Sequence, residues 1–459
     1  MKRRQFMKLS AAAGLSLLAP NARYALAAEE LRGFGGPFWV TINLAGAWDT
    51  TLFCDPKGNQ LTTNPAKGPI NLYHPDTIES VSVGNTTLRL GPGGPAEASM
   101  YYVTPSGGGA PVHIVDALAQ RGLTILNGID AGLTNHRSGE QLAMAGSTKA
   151  NFPTLAALAA YERLVDREDR PAPNGPMPLI SFGGYDGTAN LVPVTRLAAI
   201  DVLGQITQPN VIGIGDRKSE MHSARTLASI NRFLDRRRAE HEAQVLLPSR
   251  AQAMSQLFVA RSKEHHVSEL LRTDFDFATF ESLSSFRKQI YVALRAFKGG
   301  LAASSNLLLG GWDTHQLNDN PQRNRLRILF DGLNYLKEQA DHLGVTEQLN
   351  IVVGSDFGRT TYYNGVDNHA GKDHHSVTSW MTMLWAENRD SGLRVVGQTN
   401  DMVEAEPLRA DLSVAQANEA GTVMTPGIIH NELRRIAGLD GSTIAGTFPI
   451  SAPPLSLWA

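Results

Sequence analysis

From Pro37 onward, short apolar runs alternate with longer stretches in which apolar residues recur every three or four positions. Pro37–Leu44, Leu123–Asn127, Pro178–Phe182, Asn306–Leu309 and Leu349–Val353 are dense in β-branched and other apolar residues, the pattern of buried strands. Thr154 to Val165 and Arg323 to Leu343 carry the helical period, and a larger helical block runs from about Lys218 to Ala303. Strands that are nearly continuous in apolar residues, separated by helices of crossover length, predict a mostly parallel sheet covered on both faces. Residues 56–110 are rich in Gly, Pro, Thr and Asn and predict a long surface excursion. No repeat of solenoid or propeller period is present.

The first 27 residues break this pattern. Lys2-Arg3-Arg4-Gln5-Phe6-Met7-Lys8 is a basic stretch with a twin arginine, Leu9 to Ala19 is a short apolar run, and Ala25-Leu26-Ala27 has the small-x-small form cut by signal peptidases. The run is well short of the roughly 20 apolar residues a bilayer span needs, so cleavage rather than anchoring is expected. The segment predicts export to the periplasm by the twin-arginine machinery, with no membrane span in the mature chain. That route carries folded proteins, often with a metal already loaded.

Composition narrows the function classes. The 459 residues hold 42 Lys+Arg against 44 Asp+Glu, a formal charge of −2, which excludes a basic nucleic-acid binder. Removing the signal takes five basic residues and leaves 37 basic against 44 acidic. Cys54 is the only cysteine, so no intramolecular disulfide or Cys-x-x-Cys metal knuckle can form. An exported chain of this kind must draw its stability from a core or a bound ion.

Acidic and histidine residues then fall at informative places. Three strands run into an aspartate: Asp49 after the first, Asp313 in Gly310-Gly311-Trp312-Asp313-Thr314-His315, and Asp356 in Ser355-Asp356-Phe357-Gly358-Arg359. In a parallel sheet, ligand groups collect beyond the carboxyl ends of the strands, so the three carboxylates are expected in one crevice. The segment from His369 to His375 adds three histidines in seven residues. Aspartate and histidine together suit Zn²⁺ or Mn²⁺, and also Mg²⁺ or Ca²⁺. The competing structural role for each aspartate is to cap the helix that follows. Past Asn127, Thr134-Asn135-His136-Arg137-Ser138 leads into a helix, where a hydroxyl in the first turn meets a terminus that favours anions. Thr134 and Ser138 are the candidate nucleophiles, with helix capping as their alternative role.

These segments resemble the exported bacterial proteins grouped as domain of unknown function 1501, distant relatives of the alkaline phosphatase and sulfatase superfamily. The likeness rests on Trp312-Asp313-Thr314-His315, Ser355-Asp356-Phe357-Gly358-Arg359-Thr360 and Lys372-Asp373-His374 in this order, and extends over most of the mature chain. It implies a three-layer αβα sandwich of the alkaline-phosphatase kind over residues 28–459, with a helical insertion around 218–303. It also implies that Asp313, His315 and His374 hold one metal, and that Asp49 and Asp356 are the carboxylates of a second. Phe357 stands where the superfamily has the histidine of that second site.

Two functions follow from different classes. One is an exported metal-dependent hydrolase of a small phosphate or sulfate ester, with Arg359 either steadying the anionic substrate or forming a structural salt bridge. The other is a non-catalytic binding or assembly protein that keeps the fold and one structural ion.

Overall fold

A computed structural model describes residues 33–62, 64–94, 99–165, 177–198, 211–212, 219–242, 275–365, 370–387 and 392–458. The expected signal segment and its twin arginine lie outside the described residues, as does His369. The described residues fall into two units. The smaller contains the strand pair Val211–Ile212 and Ser219–Glu220 and the helix Ala224–Glu242. The larger, Gly33–Asp201 with Arg272–Ala459, holds everything discussed below.

The frame of the larger unit is an eight-stranded sheet. Its strands are β1 (Phe38–Leu44), β2 (Leu123–Asp130), β3 (Leu179–Ser181), β4 (Val194–Arg196), β5 (Ser304–Leu308), β6 (Leu349–Ser355), β7 (Val377–Leu384) and β8 (Leu393–Val396). Their order across the sheet is β8-β2-β7-β6-β1-β5-β3-β4. All pairings are parallel except those of β7, which runs against both neighbours, β6 and β2. The fold is therefore mixed α/β with a large, mostly parallel sheet. Strand β1 shows why the apolar pattern was continuous rather than alternating: all seven residues are buried. Phe38 stacks on Phe297 at 4.8 Å between ring centroids, while its neighbour Trp39 joins a cluster with Leu155, Ile429 and Trp380.

Helices α1 (Ile114–Ala119), α2 (His136–Ala145), α3 (Leu155–Leu164), α4 (Ser285–Lys298), α5 (Asp319–Leu343) and α6 (Pro426–Ile436) pack around this frame. Thr154 caps α3 by accepting from the Ala157 amide at 3.1 Å, which sets its start one residue into the predicted span. Helix α5 begins four residues before the predicted Arg323, at Asp319, and ends on left-handed Gly344. The predicted block at 218–303 contains a helix of the smaller unit and α4 of the larger one. The predicted excursion at 56–110 is not wholly irregular: Glu79–Val83 and Thr86–Leu90 form a hairpin. Among the described residues no helix is long and apolar enough to cross a membrane.

This topology gathers chemistry at one edge. Asp49, Asp313 and Asp356 follow the carboxyl ends of β1, β5 and β6, and His136 opens the helix after β2. Because β7 is reversed, His374, three residues ahead of it, arrives at the same edge.

Candidate metal centre

The loops after β1 and β5 touch closely. Gly46 has φ 117°, and a Cβ there would stand 2.5 Å from the Asp313 amide nitrogen, so only glycine fits. Beneath the loops, Trp48 and Trp312 meet edge to face at 6.1 Å, both fully buried, and fix the position of Asp313 from below. Three imidazoles then surround one carboxylate oxygen. Asp313 Oδ1 lies 3.1 Å from His315 Nε2, 3.4 Å from His374 Nε2 and 3.5 Å from His136 Nε2. His315 Nε2 and His374 Nε2 are themselves 3.0 Å apart.

Each imidazole is anchored from behind. His136 Nδ1 is 2.6 Å from Asp356 Oδ2, His315 Nδ1 is 2.9 Å from Asp373 Oδ1, and His374 Nδ1 is 3.0 Å from the Thr134 carbonyl. Carboxylates and carbonyls only accept, so all three Nδ1 atoms carry the proton. In the neutral form, rings of this tautomer would turn three Nε2 lone pairs toward the space beside Asp313, as ligation of an ion requires. His136 Nε2 is buried and has no hydrogen-bond partner. A buried acceptor left in that state is a cost unless something else occupies the space. His136, Asp313 and His374 each offer a ligand atom, all within 4.8 Å of one another. An imidazole and carboxylate set with its outer hydrogen bonds in place is the donor chemistry of a divalent transition metal.

The electrostatics agree with that donor set. Burial alone would raise the Asp313 carboxyl, but the Arg359 guanidinium and the nearby histidines hold it down at about 2, so it is ionised. Its hydrogen bond to Asp356 raises the pKa of His136, whereas burial lowers that of His374 despite its contact with Asp313. Without an ion, then, the two rings differ in their hold on a second proton.

The expected first-site trio of Asp313, His315 and His374 is brought together. The expected second-site carboxylates are not. Asp49 is buried and spent on other partners: Lys372 Nζ at 2.8 Å, the Thr51 amide at 3.1 Å and Asn318 Nδ2 at 2.8 Å. It caps the short helix Thr50–Leu52, the structural role weighed for it from sequence. Asp356 is turned inward as well, accepting from the Ala47 amide at 2.6 Å while holding His136. Phe357 is fully buried, with its ring 4.8 Å from His136 and 4.7 Å from His374.

Arg359, expected to face substrate, is buried instead. Its guanidinium binds the carbonyls of Gly46, Ala47, Trp312 and Lys372 as well as Asp313, which pins three loops together. Thr134 is exposed beside the centre and serves it through its carbonyl. Ser138 lies in the first turn of α2, where its amide donates to the capping Asn135 side chain at 3.2 Å. His375 pairs with Gly358 and stays outside the cluster. The sequence analysis missed His136 and Asp373. His136 opens the helix after an eight-residue inner strand, the same kind of position that singled out the aspartates.

Residues 112–406 match the family described as Protein of unknown function (DUF1501). No curated protein matches. Among solved structures, one titled "Crystal structure of Ps i-CgsB in complex with k-i-k-neocarrahexaose" aligns with a TM-score of 0.34 at 8% identity, covering 92% of this chain and 76% of that one.

Proposed function

The chain belongs to the DUF1501 family of proteins of unknown function, and from that premise we propose that it is an exported, metal-dependent hydrolase of an anionic ester, phosphate or sulfate. The observation that carries this reading is the set of three Nδ1-anchored imidazoles around Asp313. In this proposal the sheet and its helices are an alkaline-phosphatase-like αβα sandwich, and the mature chain starts after Ala27 and works in the periplasm. His136, Asp313 and His374 hold a single ion, Zn²⁺ or Mn²⁺, with His315 beside them. When bound, the ion supplies Lewis acidity, polarising an ester oxygen and making water acidic enough to attack at neutral pH.

The chain's own groups do the rest. Asp356, Asp373 and the Thr134 carbonyl keep the imidazoles in one tautomer. The amino end of α2, which starts at His136, adds a positive field that favours an anion at the exposed edge. The exposed Thr134 and the first-turn Ser138 remain the hydroxyls placed to act as nucleophile. Burial of Asp49 and Asp356 favours one ion over two.

That same burial favours a second reading, in which the ion is structural and the protein binds or assembles without catalysis. The test is turnover of aryl phosphate and aryl sulfate esters by mature protein loaded with Zn²⁺ or Mn²⁺. The hydrolase reading expects turnover that Asp313→Ala abolishes. Background rates at every loading, with a melting temperature that still rises with metal, would decide for the second reading.

A further inference from the structure

On the neighbouring face of α2 lies a cleft of about 820 Å³. Arg137 and Gln141 of α2 form one wall, and Asn151, Tyr185, Asn190 and Phe448 contribute to the others. Arg137 follows the centre's His136 directly, so the cleft and the centre share the amino-terminal half of one helix. The loop after β3 is clamped between them: a Cβ on Gly184 would stand 2.7 Å from Asn43 Nδ2 and 2.9 Å from Glu140 Oε1, and Tyr185 comes next.

The walls are held in place before any ligand arrives. Gln141 Nε2 donates to the Lys149 carbonyl at 2.6 Å, the Tyr185 hydroxyl donates to the Phe152 carbonyl, and the Thr154 amide donates to the Gly187 carbonyl at 2.9 Å. Asn151 and Asn190 take the left-handed conformation that asparagine tolerates, at φ 56° and 61°, and Ala189, next to Asn190, takes it at 49°, where a Cβ resists it. Strain of this kind persists where the surrounding structure enforces it, commonly at ligand sites.

The lining has a definite chemistry. Arg137, Gln141, Asn151 and Asn190 carry planar polar groups able to meet adjacent hydroxyls in pairs, and Tyr185 and Phe448 add aromatic rings. An apolar ligand would strand the carboxamides, and a bare inorganic anion would engage Arg137 and leave both rings without a role. A pyranose ring, with equatorial hydroxyls at its rim and C–H groups on its faces, uses both kinds of group. We propose that this cleft is a saccharide subsite, holding a sugar ring whose anionic ester group faces the metal centre. Only the second half of that statement rests on the ester-hydrolase reading.

The test is binding of metal-loaded mature protein to an array of neutral and sulfated oligosaccharides, followed by titration calorimetry on the best pair that differs only in sulfation. We expect binding that weakens at least tenfold in Tyr185→Ala, in Gln141→Leu and in Arg137→Gln, each with its melting temperature checked. In Asp313→Ala binding of the neutral member should persist, while any preference for the sulfated member is lost. No saccharide bound across the array, or binding unchanged in all three cleft variants, overturns the proposal. Saccharide binding through the cleft without hydrolysis of the sulfate ester would keep the subsite and remove the hydrolase reading instead.

Discussion

Asp356 grips His136: its Oδ2 sits 2.6 Å from the imidazole Nδ1, and the Ala47 amide holds its other oxygen at 2.6 Å. A carboxylate expected at the ion thus acts one bond further out, on a histidine that the sequence analysis passed over. Asp356→Ala should therefore loosen the ion rather than abolish its binding. Removing such an outer partner raises a metal dissociation constant by about 10- to 100-fold. Chelator competition reads this directly, and wild-type affinity in the variant would show that the pair does not orient a ligand.

Metal analysis of the purified protein should give one ion per chain. His136→Ala, His374→Ala and Asp313→Ala should each lose it. Two ions per chain would contradict the commitment of Asp49 to Lys372, whose Nζ is 2.8 Å away with both side chains buried.

That buried pair makes its own prediction. Lys372→Met leaves the Asp49 charge without its cation and should cost roughly 3–5 kcal/mol in urea denaturation. The double variant Asp49→Leu with Lys372→Met should recover much of it. Burial raises the Asp49 carboxyl, but Lys372, Thr51 and Asn318 together bring it below its ordinary value. A carboxyl depressed on folding adds stability that is complete above its unfolded pKa of about 3.9 and is lost as pH falls through the folded value. The double variant lacks this acid-sensitive contribution, so its acid unfolding should begin at lower pH than the wild type's, and an unchanged onset would assign acid sensitivity to other groups.

His430 titrates in a different window. It lies in the core beneath α2, with Nε2 2.9 Å from the Ala143 carbonyl, and burial lowers its pKa to about 4. The unfolded chain takes up that proton near pH 6.5, so stability is full above this value and falls as pH drops toward the folded pKa, by about 3 kcal/mol in all. His430→Gln should flatten the change in melting temperature between pH 7.5 and 5, and a variant with the wild-type slope would assign the effect elsewhere.

The frame was legible because β1, β2 and β6 are buried along almost their whole length and so are dense in apolar residues, whereas β5, Ser304-Ser305-Asn306-Leu307-Leu308, showed only at its apolar end. Strand β7 was not recognised: Val377-Thr378-Ser379-Trp380-Met381-Thr382-Met383-Leu384 is wholly buried, yet its polar positions and methionines suit a helix as well as a strand. At the centre, Asp313, His315 and His374 could be picked out because two of them sit in one Asp-x-His and the third in a histidine-rich loop. Asp49 and Asp356 could not be told apart from them. All three aspartates follow strands, and what turns two of them inward is distant in the chain: His136 stands 220 residues from Asp356. A local pattern fixes where a side chain starts, and long-range partners fix where it points.

The reversal of β7 has a consequence for how such a protein can diversify. Residues 356–376 leave the sheet from β6 and re-enter it through β7, two strands hydrogen-bonded side by side, with Val353 paired to Met381. This one excursion carries Arg359, Lys372, Asp373 and His374. Both its ends are moored at the same edge, and Arg359 and Lys372 tie its middle to the loops after β1 and β5. Ligand choice at the centre is thereby coupled to folding of the frame, and an excursion grafted between family members must bring Arg359 and Lys372 with it.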